Sequence, residues 1–307
     1  MEVVRGEAIK EEEDSVVVTL GCFDGIHYGH QQIIEETITN AKQLACKSAL
    51  FSFTPHPMSV IAPQKKPRLL SNWQQKLKII AEIGIDKVYL QEFTNDFAKL
   101  DFESFVKDYL VAGINAQKVV VGSDFQFGHR GLGNVDKLKK SGKELGFTVQ
   151  ALEAVTIEGV IVSSTYIREL IESGQVSEVK KYLSRNYSIL GEVVGGDKRG
   201  RKLGFPTANL KLLAEYVIPK IGVYAVKVSL NGSSYQGVAH LGAKPTFSQN
   251  EFTFEVHIFD FGDYIYQQQL EVEFVQRLRG QIGFASQEEL VKQINQDIEE
   301  AREILNK

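Results

Sequence analysis

The spacing of apolar residues changes once along this chain of 307 residues, and that change constrains the fold more than any other feature. In the first half, apolar runs of strand length alternate with helical patterns, beginning with a strand at Ser15–Leu20 and a helix over 30–46. This alternation predicts a parallel sheet with helices on its faces, which binds ligands at the carboxyl ends of its strands. After Ser184, strands follow one another with only turns between them, which predicts a small antiparallel β-barrel.

The same patterns predict the remaining elements. The further strands of the first half are Ser48–Phe53, Lys87–Leu90, Lys118–Gly122 and Thr148–Leu152, and the further helical stretches are 72–83, 101–112, Lys137–Leu145 and Ile167–Ser184. The strands of the second half are 187–194, 222–230, 234–241, 252–259 and 270–276. An amphipathic helix over 286–305 follows, with Ser286 as its N-cap and Glu289 as the capping-box partner. We predict two domains, 1–184 and 185–307.

Composition argues against several classes of protein. Lys and Arg number 35 against 39 Asp and Glu, so no basic excess indicates a nucleic-acid partner. Cys22 and Cys46 are too few for a disulfide framework, which favours a reducing cytoplasm. No apolar run approaches the ~18 residues of a membrane helix, and the first fourteen residues lack the apolar core of a secretory signal. We therefore expect no membrane partner and exclude a transporter.

Two histidines stand in the segment GCFDGIHYGH (Gly21–His30, the histidine loop), between the first strand and the first helix. Its glycines permit a tight turn, and the start of the helix supplies unpaired N–H groups that attract an anion. His27 and His30 add donors for phosphate oxygens. The alternative is an ordinary turn with two partly exposed histidines. A metal site is disfavoured because no cluster of Cys or Asp joins the pair.

Two further segments of the first half could bind a phosphate or a ring. Ser163, Ser164 and Thr165 stand where a strand meets a helix, so their hydroxyls either cap that helix or bind phosphate. Arg168, one turn further along, can donate to the same anion, or it is an ordinary surface residue. In GSDFQFG (122–128), the acidic side chain could accept a hydrogen bond from a ligand ring and the two aromatic rings could stack on it, although such rings are more typical of a core.

A glycine-rich basic loop dominates the start of the second half. Residues 191–209 read GEVVGGDKRGRKLGFPTAN, which is either a flexible cover for polyphosphate or a solvated hairpin turn. Its last residues include Thr207 and Asn209, whose hydroxyl and amide oxygens are hard ligands suited to Mg²⁺. In FTFEVHIF, alternation places Glu255 on the face opposite the apolar residues. That carboxylate either serves as a general base or is simply exposed.

Taken in order, these motifs resemble those of the bacterial bifunctional riboflavin kinase/FMN adenylyltransferase (FAD synthetase) family. The histidine loop resembles the GxFDGxHxGH loop of HIGH-type nucleotidyltransferases. Phe53–Pro57 resembles the family's FxPHP loop, 122–128 its GxDFxFG segment and 163–168 its SSTxIR motif. GRKLGFPTAN resembles the riboflavin kinase motif, and the likeness covers residues ~15–305.

The resemblance implies a fold, two reactions and a set of roles. The fold is a Rossmann-like nucleotidyltransferase domain followed by a riboflavin kinase barrel with a terminal helix. Riboflavin and ATP would give FMN and ADP in the barrel, and FMN and a second ATP would give FAD and pyrophosphate in the first domain. The partners would be small molecules: riboflavin, FMN and ATP. Catalytic roles fall to His27, His30, Arg168 and Glu255, and Mg²⁺ binding falls to Thr207 and Asn209.

The binding roles follow in the same way. Nucleotide binding falls to Gly21, Phe23, Asp24, Gly25, Gly29, Ser163, Ser164, Thr165, Gly196, Arg201 and Gly204. Flavin binding falls to Pro55, His56, Pro57, Asp124, Phe125 and Phe127.

The chain departs from the family pattern at four places. His240 replaces the usual Asn of GVANxG, Gln267 ends an altered LYG triplet, and Gln281 replaces an acidic residue. Arg130 is displaced by one position from the family's arginine, so we give it no role. Two alternatives stay open: a chain that performs only adenylyl transfer, and a flavin-binding regulator without chemistry. The presence of Glu255 and of both loop histidines argues against the regulator.

Overall fold

The computed structural model describes residues 1–6, 14–196, 200, 203–244 and 251–306. The chain divides into two compact units. The first unit comprises Met1–Pro67 and Trp73–Ser163, and the second comprises Arg68–Asn72 and Ser164–Lys307. No helix within the described ranges is long and apolar enough to cross a membrane.

The first unit is built on a six-stranded parallel sheet, which confirms the predicted architecture. Its strands, in chain order, are β1 (Glu2–Arg5), β2 (Val16–Leu20), β3 (Lys47–Thr54), β4 (Lys87–Glu92), β5 (Ala116–Gly122) and β8 (Thr148–Leu152). Their order across the sheet is β1-β4-β3-β2-β5-β8. All five residues of β2 are buried, as expected of a strand covered on both faces. The edge strand β1 was not predicted, because two valines among four residues give too short a pattern.

Helices and short strands complete this unit. They are α1 (Tyr28–Gln43), α2 (Pro57–Ile61), α3 (Trp73–Ile83), α4 (Phe102–Ser104) and α5 (Val135–Leu145), with the two-residue strands β6 (Gln126–Phe127), β7 (Gly133–Asn134), β9 (Thr156–Ile157) and β10 (Val160–Ile161). The helix predicted over 101–112 is confirmed, but it has two parts, because α4 continues as a π-helix over Phe105–Val111. The wider turn stacks Phe105 on Tyr109, with ring centroids 5.8 Å apart.

The second unit contains the predicted antiparallel barrel, closed in the order β11-β12-β15-β14-β13-β16. The strands are β11 (Tyr187–Val194), β12 (Ala208–Leu212), β13 (Gly222–Leu230), β14 (Ser233–Lys244), β15 (Glu251–Ile258) and β16 (Gln269–Arg279). Strand β12 was not predicted, because it begins inside the PTAN motif that we interpreted as a loop. Buried aromatic residues pack against one another within the barrel: Tyr187, Tyr224, Phe254 and Phe274.

The described residues of the second unit include helices as well as the barrel strands. The helical stretch predicted before the barrel is two helices, α6 (Ser164–Ser173) and α7 (Val176–Leu183), separated at Gly174, whose φ is +87°. The terminal helix α8 (Gln287–Leu305) packs on the barrel through Ala301 and Leu305. Ser286 caps it as predicted, accepting from the N–H of Glu289 at 3.2 Å. The Glu289 carboxylate, however, accepts from the N–H of Ala285 at 3.0 Å, one residue before the expected capping-box donor.

Candidate active sites

The histidine loop follows β2 and has an unusual backbone. Phe23, Gly25 and Ile26 all have positive φ, at 48°, 80° and 42°. A left-handed conformation costs an ordinary residue about 1–2 kcal/mol. Phe23 and Ile26 are nevertheless buried, at 2% and 0% exposure, so packing of these two side chains offsets the backbone cost. The loop is therefore held in shape by apolar burial as well as by glycine, and such strain is typical of functional loops.

His27 is the N-cap of α1. Its Nδ1 accepts a hydrogen bond from the backbone N–H of His30 at 3.3 Å, which leaves the ring proton on Nε2. The two imidazole rings are stacked, with centroids 3.6 Å apart and planes 16° apart. His27 is therefore oriented as a hydrogen-bond donor through Nε2, in the first turn of a helix whose free N–H groups attract an anion.

His30 is a neutral histidine with an unsatisfied atom. Burial lowers the pKa of His30 well below its usual range, and the neighbouring His27 and Lys76 lower it further. Its Nδ1 is buried and has no hydrogen-bond partner among the residues that the structure describes. A buried polar atom without a partner is rare and indicates a missing ligand atom or water. His30 therefore offers a neutral hydrogen-bonding group, rather than an imidazolium cation, to a phosphate.

One buried residue beside this loop was not predicted from the sequence. Lys76 on α3 is 4% exposed, and its ammonium donates to the carbonyl oxygen of Cys22 at 3.0 Å. Burial raises the pKa of the Cys22 thiol to about 11, against the opposing effect of Lys76. Only the helical period of α3 could have placed Lys76 on an inward face, and a lysine there is ordinarily interpreted as solvent-exposed.

The predicted flavin-binding residues occupy two further loops of the first unit. His56 is the N-cap of α2, where its Nδ1 accepts from the N–H of Met58 at 3.2 Å, and Pro55 beside it is exposed. Pro57 is the first residue of α2, a position that suits its fixed φ. Within the FxPHP motif, Pro55 is thus exposed, and the His56 ring is held in place because it caps α2.

The aromatic residues of the 122–128 segment have different environments. Asp124 is exposed and Phe125 is half-buried, whereas Phe127 is 9% exposed and packs against Phe105 of the core. The rings of Phe125 and Phe127 are stacked with centroids 5.5 Å apart. The ring of Phe125 is thus partly exposed, and it packs on the ring of Phe127, which belongs to the core. Arg130 is exposed, and its φ is +56°.

The SSTYIR motif falls at the division between the two units. Ser163 ends the first unit, and Ser164 begins α6 in the second. Both are half-buried, and Thr165 is exposed. Arg168 lies one turn into α6, where its Nε donates to the carbonyl oxygen of Arg68 at 2.8 Å. That hydrogen bond helps to orient the guanidinium.

A carboxylate and a hydroxyl meet on the surface of the barrel in the second unit. The predicted alternation of β15 is confirmed, because Phe254 and Val256 are buried while Glu255 is half-buried. Glu255 pairs with Asn209 across the β12–β15 ladder. The Thr207 hydroxyl donates to Glu255 Oε2 at 3.2 Å. Residues 48 positions apart in sequence thus form a cluster of hard oxygen atoms.

The donor set of this cluster fits a magnesium ion. The hydroxyl of Thr207 donates its proton to Glu255 and so keeps its lone pairs for a cation. Asn209 adds an amide oxygen on the same face. Mg²⁺ is typically bound by one or two protein ligands together with phosphates and waters. The part of the chain that the structure describes contains no group of three His, Cys, Asp or Glu able to hold a metal.

Glycines let the basic loop approach the cluster closely. A Cβ on Gly196 would lie 2.3 Å from Asn209 Nδ2, and one on Gly200 would lie 2.3 Å from the carbonyl oxygen of Phe205. Gly204 has a φ of +89°. The predicted nucleotide-binding residue Arg201 lies outside the described residues.

A cavity of about 360 Å³ opens beside Thr207. Its lining residues are Val193, Pro206, Thr207, Ala208, Val256, Ile258, Phe261, Gly262, Asp263, Tyr264, Ile265 and Tyr266. The opening exists because β12 begins at Ala208, opposite Val256, while β15 continues to Ile258. The end of β15 is therefore left without a β12 partner, and the buried residues Val256 and Ile258 line the cavity there.

The segment 259–268 forms one wall of this cavity. Gln267 donates its N–H to the carbonyl oxygen of Val193 at 2.9 Å, and Val193 donates to that of Gln268 at 2.9 Å. Gln267 has a φ of +63°, a left-handed conformation that costs a non-glycine residue backbone strain. Tyr266 contacts Tyr264, with ring centroids 4.7 Å apart, and Tyr264 is 80% exposed.

His240 lies next to Glu255 on the neighbouring strand. The two residues are register partners in the β14–β15 pair. Burial lowers the pKa of His240 and Arg279 adds to this effect, while Glu255 and Asp297 oppose it. Arg279 and Asp297 themselves form an ion pair at 2.7 Å between β16 and α8. Gln281, another departure from the family, is exposed.

This histidine makes stability depend on pH. The folded-state pKa of His240 lies below its ordinary value of 6.5, so as pH falls below 6.5 the unfolded chain takes up the proton first. The free energy of unfolding should therefore fall from about pH 6.5 downwards and show no such dependence above it. We expect His240→Asn to lose less stability than wild type between about pH 7.5 and 5.5 in urea unfolding. Equal losses in both proteins would contradict the prediction.

Comparison with known proteins assigns each unit to a family. A family model described as FAD synthetase matches residues 9–166, and one described as Riboflavin kinase matches residues 183–305. A bifunctional riboflavin kinase/FMN adenylyltransferase of Bacillus subtilis is 37% identical over 95% of this chain and 93% of its own length. One from Escherichia coli strain K12 is 33% identical over 99% of this chain and 97% of its own length.

A solved structure shares the whole architecture. A Streptococcus pneumoniae crystal structure titled Macrolide-efflux Protein superposes with a TM-score of 0.89 at 31% identity, over 98% of this chain and 99% of its own. That title describes the other protein, and what the two chains share is the two-part fold.

Proposed function

This chain belongs to the bifunctional riboflavin kinase/FMN adenylyltransferase family, and we propose on that basis that it performs two successive reactions at separate sites. The barrel phosphorylates riboflavin with ATP, and the α/β unit joins the resulting FMN to a second ATP. We propose a functional division at 1–184 and 185–307. The observation that supports the kinase assignment best is the 3.2 Å contact between Thr207 and Glu255, which combines a carboxylate with a metal-binding hydroxyl.

In the kinase reaction, Glu255 is the general base. Its carboxylate takes the proton from the terminal ribityl hydroxyl, whose oxygen forms a bond to the γ-phosphorus of ATP. The bond between that phosphorus and the β–γ bridging oxygen breaks, and ADP leaves. Thr207 and Asn209 would hold Mg²⁺, which when bound neutralises charge on the phosphates. The glycines Gly196 and Gly204, with Arg201, would cover the phosphate chain.

We assign the cavity beside Thr207 to the adenine ring of the ATP used by the kinase. Glu255 must contact the flavin tail, so the acceptor occupies the barrel face that carries Glu255 and His240. The cavity opens beside Thr207 and is lined by inward apolar residues such as Val256 and Ile258. A nucleotide whose phosphates reach Thr207 can extend its base into this cavity, where apolar surfaces suit a purine.

Tyr264 tests the assignment of the cavity. Its ring is 80% exposed, so its removal should not affect folding, but it stands at the cavity wall in contact with Tyr266. Stacking of a base on an aromatic ring is worth about 1–3 kcal/mol. We expect Tyr264→Ala to raise the KM for ATP in FMN formation about 10-fold and to leave the KM for riboflavin unchanged. Tyr264→Phe should behave as wild type, and a raised KM for riboflavin alone would place the flavin in the cavity.

In the adenylyl transfer reaction, an oxygen of the FMN phosphate attacks the α-phosphorus of ATP. A new P–O bond forms, the bond to the α–β bridging oxygen breaks, and pyrophosphate leaves without a covalent enzyme intermediate. His27 and His30 donate hydrogen bonds to the oxygens on which charge develops, at the start of α1. Ser164 and Arg168 would bind the remaining phosphate oxygens.

The other residues of the first site would bind rather than react. Phe23 and Asp24 are buried, so we infer that they present backbone groups to the nucleotide, together with the loop glycines Gly21, Gly25 and Gly29. Ser163 and Thr165 would bind the same phosphates. The residues proposed to line the flavin site are Pro55, His56, Pro57, Asp124, Phe125 and Phe127. Among the aromatic residues of that set, half-buried Phe125 offers the stacking surface.

One product assay tests the whole proposal. Incubation with riboflavin, ATP and Mg²⁺ should give FMN first and FAD later, resolved by chromatography. FAD from supplied FMN without any product from riboflavin would mean that only adenylyl transfer operates. Flavin binding without ATP consumption would mean a regulator.

We also propose a cytoplasmic location. Cys22 and Cys46 are both free thiols, as a reducing compartment favours. ATP, the shared substrate of both reactions, is used in that compartment.

A further inference from the structure

Lys76 is the most deeply buried lysine among the described residues of the first unit. It is 4% exposed on α3, and lysine is almost never fully buried unless it is paired. Its Nζ donates to the carbonyl oxygen of Cys22 at 3.0 Å. The same ammonium lies 4.7 Å from the centroid of the Trp73 ring, a cation–π contact. Two directional contacts thus define where its charge lies.

That charge acts on the histidine loop. Cys22, whose carbonyl accepts from Lys76, directly precedes the left-handed residues Phe23, Gly25 and Ile26. The positive charge of Lys76 lowers the pKa of both the Cys22 thiol and His30, although burial is the larger influence on each. The titratable groups that share this environment are Cys22, Asp24, His27 and His30.

We propose that Lys76 is a positioning residue for adenylyl transfer, which anchors the carbonyl of Cys22 and so holds the histidine loop in its strained shape. The inference rests on the proposed function of the first unit. Because the loop leads directly into the first turn of α1, a shift of the Cys22 carbonyl displaces both imidazoles relative to the α-phosphorus. Lys76 also keeps positive charge beneath the loop, which favours the neutral form of His30 and attracts the triphosphate.

Two substitutions distinguish the effect of the hydrogen bond to Cys22 from the effect of the positive charge of Lys76. Lys76→Met removes both the donor and the charge at similar length, whereas Lys76→Gln keeps a donor. A misplacement of about 1 Å costs about 100-fold in rate. We expect Lys76→Met to lower kcat for FAD formation from FMN about 100-fold, with the KM for FMN changed less than about threefold. The kcat of Lys76→Gln should lie between that of Lys76→Met and that of wild type. Exposed Lys78 on the same helix supplies the control variant Lys78→Met, which should match wild type.

The pH profile distinguishes positioning from simple loss of folded protein. Removal of a positive charge beside His30 raises its pKa, so the acid limb of the kcat profile should move to higher pH in both Lys76 variants. Trp73 is the one tryptophan of the chain, so its fluorescence reports directly on this site. Titration of that emission with ATP measures binding independently of turnover.

Each outcome of these measurements either supports or overturns the inference on Lys76. FMN formation by the barrel should remain at the wild-type level in every variant and serves as the internal control for folding. FAD formation within about threefold of wild type in Lys76→Met, or an unmoved acid limb, would overturn the inference. If Lys76→Met does not fold, Lys76→Gln decides by the same two measurements. Failure of wild type itself to make FAD from FMN would instead overturn the proposed function.

Discussion

Replacing His30 with alanine is expected to abolish FAD formation while FMN accumulates from riboflavin. The ring is stacked 3.6 Å from that of His27 at the start of α1, and its buried Nδ1 has no hydrogen-bond partner within the described ranges. Loss of one preorganised hydrogen-bonding group that stabilises developing charge costs about 10²–10³ in kcat. Chromatographic separation of riboflavin, FMN and FAD over time measures both steps in one experiment.

A histidine outside the loop supplies the control. His129 in the same unit is half-buried and carries no proposed role, so His129→Ala should make FAD at the wild-type rate. If His30→Ala made FAD normally, the loop would not be the site of adenylyl transfer. If it lost both products while its thermal unfolding stayed unchanged, the two sites would not be independent.

The substitution Glu255→Gln is expected to have the opposite result. Gln keeps the shape and can still accept from the Thr207 hydroxyl, but it cannot take a proton from the ribityl hydroxyl. Loss of a general base costs about 10²–10⁴ in rate, so FMN formation from riboflavin should nearly stop. FAD formation from supplied FMN should continue at the wild-type rate, because that reaction uses the other unit.

Glu273 on β16 offers a matched control within the barrel. It is half-buried and accepts from the Asn186 amide at 3.4 Å, far along the sheet order from the Thr207 cluster. Glu273→Gln should therefore phosphorylate riboflavin normally. Normal FMN formation by Glu255→Gln would remove the carboxylate from the mechanism and favour phosphate positioning alone.

The two variants together test whether FMN is released between the steps. A mixture of His30→Ala and Glu255→Gln contains one intact site of each kind on separate molecules. If FMN leaves the barrel and diffuses, the mixture should convert riboflavin to FAD although neither variant does so alone. No FAD from the mixture, despite activity of each intact site when tested separately, would indicate transfer within one chain.

Some elements could be predicted and others could not, for definite reasons. The burial of β2 on both faces and the alternation of β15 appear directly in the spacing of apolar residues, because side chains in a strand alternate between two faces. The π-helix over Phe105–Val111 could not be predicted in this way, because its apolar pattern is also that of an ordinary helix. Strand β12 was missed because it begins inside the PTAN motif that we interpreted as a loop, and one of its pairings, Glu255 opposite Asn209, joins residues far apart in sequence.

The order of apolar and polar residues was sufficient, by itself, to establish a parallel α/β half, a barrel half and the segments that carry reactive side chains. It could do so because periodicity and capping are local properties of the chain. Which side chains make contact was decided only by tertiary packing. The Thr207 hydroxyl bonds to Glu255, 48 residues away in sequence, and the buried ammonium of Lys76 bonds to the carbonyl oxygen of Cys22, 54 residues away. Such contacts are determined by how strands and helices pack across the fold, and no local pattern encodes that arrangement.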